Sequence, residues 1–162
     1  MSTNDHVPSL FEEILVPGHA YTVISLHPIC AWAVMFGGKD IENRSVTTQQ
    51  RGRVLIHASE QKGSLREEQD LRSELSFLTG IARAELPVTF LRNAILGSVE
   101  ITDSVHGARS KWAVPEQHHW LLQDPRQLAA PVHGVTGKPL FWSWTQQRKS
   151  TLAPQRRRAA AR

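Results

Sequence analysis

Cysteine is nearly absent from this sequence. Cys30 is the only one in 162 residues, which excludes an internal disulfide framework and any CxxC metal or redox pair. Long apolar runs are missing too: none approaches the roughly 18 residues of a membrane helix. The opening MSTNDHVPSL has neither the basic nor the apolar stretch of a signal peptide. A cytoplasmic protein with no membrane partner is therefore expected. Eight histidines occur, yet none stand at HxH or HxxxH spacing. His118 and His119 are adjacent, so on a strand they point to opposite faces. No metal site and no cofactor is expected.

Acidic residues are missing from the last stretch. Thr145 to Arg162 carry six cations and no acid, which leaves 13 cations against 15 acids in the rest of the chain. The basicity thus belongs to the end of the chain. Such a segment either solubilises the protein or holds nucleic acid through phosphates. The whole chain is 40% hydrophobic and 21% charged, the composition of one globular domain. Residues 1–19 read as an N-terminal segment with a short helix, 20–144 as the domain, and 145–162 as a disordered basic tail.

Tyr21 to Leu26 is β-branched and predicts a strand. Pro28 suits a first helical turn, and Ile29 to Phe36 is almost wholly apolar, a buried helix ended by Gly37-Gly38. A short strand over Asp40 to Arg44 and a strong one over Arg53 to Ser59 follow. Ser64 and Glu67 form a capping-box pattern that opens a charged helix to about Leu78, with Leu65, Leu71, Leu75 and Leu78 on one face. Ala94 to Val105 is a long strand with Gly97 as a bulge. Ile95, Val99, Ile101, Asp103 and Val105 share one of its faces by simple alternation, making Asp103 a buried carboxylate paired with Arg44 or a backbone amide. Short strands over His119 to Gln123 and Leu140 to Trp144 complete the pattern. Short strands with helices inserted early, and no regular βαβ alternation, indicate an α+β fold: a small mixed β-barrel with helices between the early strands.

The segment SLHPICAWAVMFGGKDIENRSVTTQQRGRVLIHAS, from Ser25 to Ser59, contains Gly37, Lys39, Glu42 and Arg44 as G-x-K-x-x-E-x-R, then Arg51-Gly52 before an apolar strand. ILGSVEITDSV at 95–105 and the Trp, Pro and Gly pattern from His118 to Trp144 follow it. With these motifs the chain resembles the ASCH domain family (activating signal cointegrator homology), a branch of the PUA-like β-barrels, over about residues 20–144. Relatives often carry Gln-Pro-Trp-Ala at the first helix, and here Cys30 stands at the Trp position. Val46 stands where many have another Trp.

The resemblance implies a cleft between the first helix and the barrel. RNA or a modified nucleotide is the expected partner, with DNA as an alternative. Candidate ligand-binding residues are Lys39, Glu42, Arg44, His27, Ser25, Arg51 and Trp112. Glu42 and Arg44 are two apart and share a strand face. They can offer an acceptor and a planar donor to a base, while Lys39 supplies a point charge for phosphate. The same three residues equally make a structural ion-pair network. The family also contains hydrolases, which makes a ribonuclease or a nucleoside amidohydrolase the alternative function. Its catalytic residues would be Lys39, Glu42 and Glu100, with N4-acetylcytidine one such substrate. The Thr used by that amidohydrolase branch is Glu42 here, and Glu100 reads equally as a solvated carboxylate. His27 suits a cap or core role, or reaches the cleft. Cys30 reads as a small core residue. Among the tryptophans, core and rim in the main, Trp112 is the stacking candidate.

Overall fold

In the computed structural model, Glu13 and residues 15–147 are described. The β-branched runs form strands: β1 (Ala20–Leu26), β2 (Ile41–Arg44), β3 (Gly52–Ala58), β4 (Ala94–Val105), β5 (His118–His133) and β6 (Phe141–Thr145). Two helices interrupt them, α1 (Pro28–Phe36) and α2 (Leu65–Thr79). Pro28 opens α1 because a first-turn residue needs no amide hydrogen. Ser64 and Glu67 cap α2 reciprocally, and Gly80 ends it in the left-handed conformation, at φ 74°.

All six strands form one sheet in the order β2-β5-β4-β3-β1-β6. β1 and β3 run parallel, and the other pairs are antiparallel. Trp120 on β5 stacks on Phe141 of β6 with ring centroids 5.3 Å apart, although four positions separate these strands in the sheet order. The sheet must therefore curl, and the result is a mixed α+β half-barrel. Ile24, Leu26, Val54, Ile56, Val99, Ile101, Trp120 and Leu122 fill its concave side, with Ala31, Val34 and Met35 of α1 packed among them. A second cluster joins α1 to α2 through Ile29, Ala33 and Leu75. Leu75 is the buried leucine of α2, whereas Leu65 is exposed; the expected four-leucine face is only partly covered. Among the described residues, no helix is long and apolar enough to cross a membrane.

Bulges change which side chains face inward. Against β3 the extra residue of β4 is Leu96, next to the expected Gly97. A Cβ at Gly97 would collide with the Arg126 carbonyl oxygen and Met35 Cε, and would sit 3.0 Å from Gln127 Cα. Only glycine lets β5 and α1 approach so closely. β5 is far longer than the expected His119 to Gln123. Asp124-Pro125 reads as a breaker, but Ser98 pairs with Arg126 and Glu100 with Gln123, so the two residues bulge out and the ladder resumes. Asp124, at φ 48°, is pinned there by Arg53 and by Arg126, whose Nε donates to it at 3.0 Å.

A further shift between Ile101 and Asp103 makes Thr102 the extra residue. This corrects the expectation for Asp103. It leaves the Ile101 face, is exposed, and pairs with Arg51 at 2.9 Å rather than with Arg44; it also accepts from the Ser104 amide at 2.7 Å. Near the chain start, Glu13 forms a parallel bridge to Leu128, an extended pairing. Leu15 and Val16 are not helical; residues 1–12 and Ile14 of the expected N-terminal segment lie outside the described residues, as does the basic segment from residue 148 onward. Thr145, expected in the tail, is the last residue of β6.

Candidate functional site

The G-x-K-x-x-E-x-R residues become a chain of alternating charge. Gly37 caps α1, and Gly38 follows at φ 72°, a conformation glycine adopts without penalty. This turn brings the Lys39 amide back to the Ala33 carbonyl at 3.0 Å. The Lys39 side chain, only 8% exposed, then runs under β2. Its ammonium donates to Glu42 Oε2 at 2.9 Å and to the Ile41 carbonyl. The other Glu42 oxygen lies 3.1 Å from Arg44 Nε. Arg44 also donates to the Ser25 carbonyl at 3.3 Å, and its guanidinium sits 5.5 Å from the Trp120 ring centroid, within cation–π range. One buried carboxylate thus serves two cations. The surplus positive charge belongs to Arg44, which is 24% exposed and faces a cleft.

That cleft has a volume of about 580 Å³, within the range of small-ligand sites. The ends of β1 and β3, the start of α1, and the loop before β6 surround it. Ser25, His27, Glu42, Arg44, His57 and Lys138 contribute polar groups to its wall. Among the described residues, no tryptophan, tyrosine or phenylalanine lines it. His27 is the N-cap of α1; its Nδ1 accepts from the Ile29 amide at 3.2 Å, and burial, with the Arg92 charge adding to it, lowers its pKa. Cys30 is also on the wall, and burial pushes its thiol up to about 11, so it stays protonated.

A second polar group lies beside the charge chain. His57 is 0% exposed. Its Nε2 is 2.7 Å from the Val135 carbonyl oxygen. A carbonyl only accepts, so Nε2 carries the ring proton and Nδ1 holds the lone pair. Ser25 Oγ, 3.0 Å from Nδ1, is therefore the donor. Trp142 Nε1 donates to that same Oγ at 3.0 Å. Desolvation lowers the His57 pKa, with the Val135 bond opposing it. Gly137 lies over the pair. A Cβ at Gly137 would come within 2.6 Å of Ser25 Oγ and still closer to the imidazole.

No protein-family model matches the chain, and no curated protein matches it.

Of the residues the sequence singles out, Ser25, His27, Glu42 and Arg44 meet at the cleft, with Lys39 buried behind Glu42. Three others do not. Arg51 is committed to Asp103 and to the carbonyls of Thr48 and Gln50, each at 2.9 Å. Trp112 is 7% exposed and packs with Ile29, Ala33 and Leu75 between the helices. Glu100 is exposed. It pairs across strands with Arg53 and Gln123, whereas Glu42 pairs with Trp120. Ile101 and Leu122 share the Trp120 face, so Glu100 and Glu42 lie on opposite faces of the sheet. Thr136, Gly137 and Lys138 are cleft residues that motif reading passed over; their signal is the glycine-flanked VTGKP run just before β6. Among the described residues, no group of three or more His, Cys, Asp or Glu is placed to hold a metal ion.

Proposed function

We propose that the cleft binds a nucleotide, offered as RNA or as a modified nucleoside, and that the protein is a nucleic-acid-binding module of the PUA-like ASCH type. The observation that carries this reading is the surplus charge of Arg44, held by its ion pair with Glu42 and a hydrogen bond to the Ser25 carbonyl at the wall of a nucleotide-sized cleft. A guanidinium fixed in this way presents a planar fork to phosphate oxygens or to the acceptor edge of a base. Lys138 supplies a second cation on the same wall. A curled half-barrel with early helices agrees with the PUA-like expectation.

The wall has imidazoles but no larger ring, so the base is read by its edges rather than sandwiched. Lys39 acts indirectly: it holds Glu42, and Glu42 holds Arg44. Titration of the full chain with ribonucleotides by calorimetry tests the reading. Arg44→Gln is expected to weaken binding by about tenfold or more, since a hydrogen bond to a charged group contributes about 1.5–3 kcal/mol. Unchanged affinity in that variant would remove Arg44 from the ligand contact.

A further inference from the structure

The Ser25–His57 pair is chemically richer than the fold requires. Ser25 and His57 already face each other in the parallel ladder of β1 and β3, so the backbone joins these strands without them. Their neighbours on the same face, Val23, Leu55 and Ile95, are apolar. A buried histidine in such surroundings is costly unless both ring nitrogens are satisfied, and here both are. The order is hydroxyl, imidazole, carbonyl: a nucleophile that donates to a base, with the base held by a third group. The Val135 carbonyl takes the orienting place that a carboxylate holds in a Ser-His-Asp triad. With Nε2 donating to the Val135 carbonyl, Nδ1 holds the lone pair that can accept the Ser25 proton. Trp142 occupies one acceptor position on Ser25 Oγ, leaving the other lone pair for attack. Arg44 donates to the Ser25 main-chain carbonyl and is a cation on the wall of the same cleft. Ser25, His57 and Arg44 all line the cleft.

We propose that Ser25 is a nucleophile with His57 as its general base, and that the cleft hydrolyses a small carboxylic ester with a polar or anionic body. Ser25 Oγ attacks the ester carbonyl carbon while its proton passes to His57 Nδ1. The oxyanion forms at the cleft wall, where Arg44 and Lys138 are the cations available to stabilise it. The bond from carbonyl carbon to the alcohol oxygen then breaks, and the departing alcohol takes the proton from His57. Water attacks the acyl-serine, gives a proton to His57, and the carboxylic acid leaves as that proton returns to Ser25 Oγ. Its reacting groups are not Lys39, Glu42 or Glu100, and although it shares the cleft with Glu42, its chemistry does not depend on the cleft's binding nucleotides.

The test is covalent labelling of the full folded chain with a fluorophosphonate probe, with the adduct located by peptide mass spectrometry. One adduct per chain on Ser25 is expected. His57→Gln keeps polar atoms near both partners but removes the base. Labelling and 4-nitrophenyl acetate hydrolysis should both slow by about 100-fold or more in that variant, the usual scale of general-base assistance. No adduct on Ser25 in folded protein, or equal labelling of His57→Gln, would overturn the proposal and leave the pair a structural tether. If His57→Gln fails to fold by near-ultraviolet circular dichroism, the position of the adduct in the unmodified chain decides.

Discussion

Lys39 holds a carboxylate that two cations share, so its removal unbalances a site with little access to water. Glu42 is 9% exposed, and without the ammonium only Arg44 would face it. Breaking one side of a buried pair costs about 3–5 kcal/mol. Lys39→Met should therefore lower stability by about 3 kcal/mol, read as a shift in the urea midpoint. A shift near zero would place Lys39 in effective contact with solvent. The histidines give a pH dependence with a definite sign. His27 and His57 both have folded pKa values lowered from 6.5. The unfolded chain binds protons more readily, so stability is fully present above about pH 6.5 and falls as the pH drops through the lower folded values. Denaturant midpoints measured from pH 7.5 downward should decline, and His57→Gln should flatten part of that decline. The motif made Glu42 and Arg44 legible as neighbours because alternation on a strand is local. Ser25 and His57 were not legible as a pair, because their meeting depends on the parallel alignment of strands 32 residues apart.

Elements were easiest to read where the cause is local. The capping box of α2, the first-turn proline of α1 and the β4 bulge beside Gly97 all follow from neighbouring residues. Elements governed by distant contacts were harder. β5 continues through Asp124-Pro125 because Arg53 and Arg126 bind the Asp124 carboxylate, and nothing within β5 announces Arg53. Asp103 changes face because one bulged residue reverses the alternation. Trp112 sits in a polar stretch yet fills the space between two helices. At this scale Gly97 is the sharpest test. Its missing Cβ makes room for the Arg126 carbonyl and Met35, and backbone cannot yield as a flexible side chain can. Gly97→Ala should lower stability by about 3 kcal/mol, the upper end of ordinary overpacking costs. A loss below about 0.5 kcal/mol, the scale of a surface change, would mean that β5 shifts freely.

Across the whole molecule, two sources of positive charge bear on nucleic-acid binding: an arginine set into a cleft and the six cations, without an acid, from Thr145 to Arg162. The first lies in a shaped site; cations like those of the second would act on phosphates whatever their sequence. The two contributions differ in salt dependence and in saturation. The most direct measurement is fluorescence anisotropy of labelled single-stranded RNA across a salt series. It compares the full chain with one in which Arg156, Arg157 and Arg158 are replaced by Gln, each with and without Arg44→Gln. Cleft recognition predicts that saturable binding survives the tail replacements with a shallower salt slope, and that Arg44→Gln weakens it about tenfold or more in both backgrounds. Binding that disappears with the tail arginines, and is indifferent to Arg44, would contradict the account.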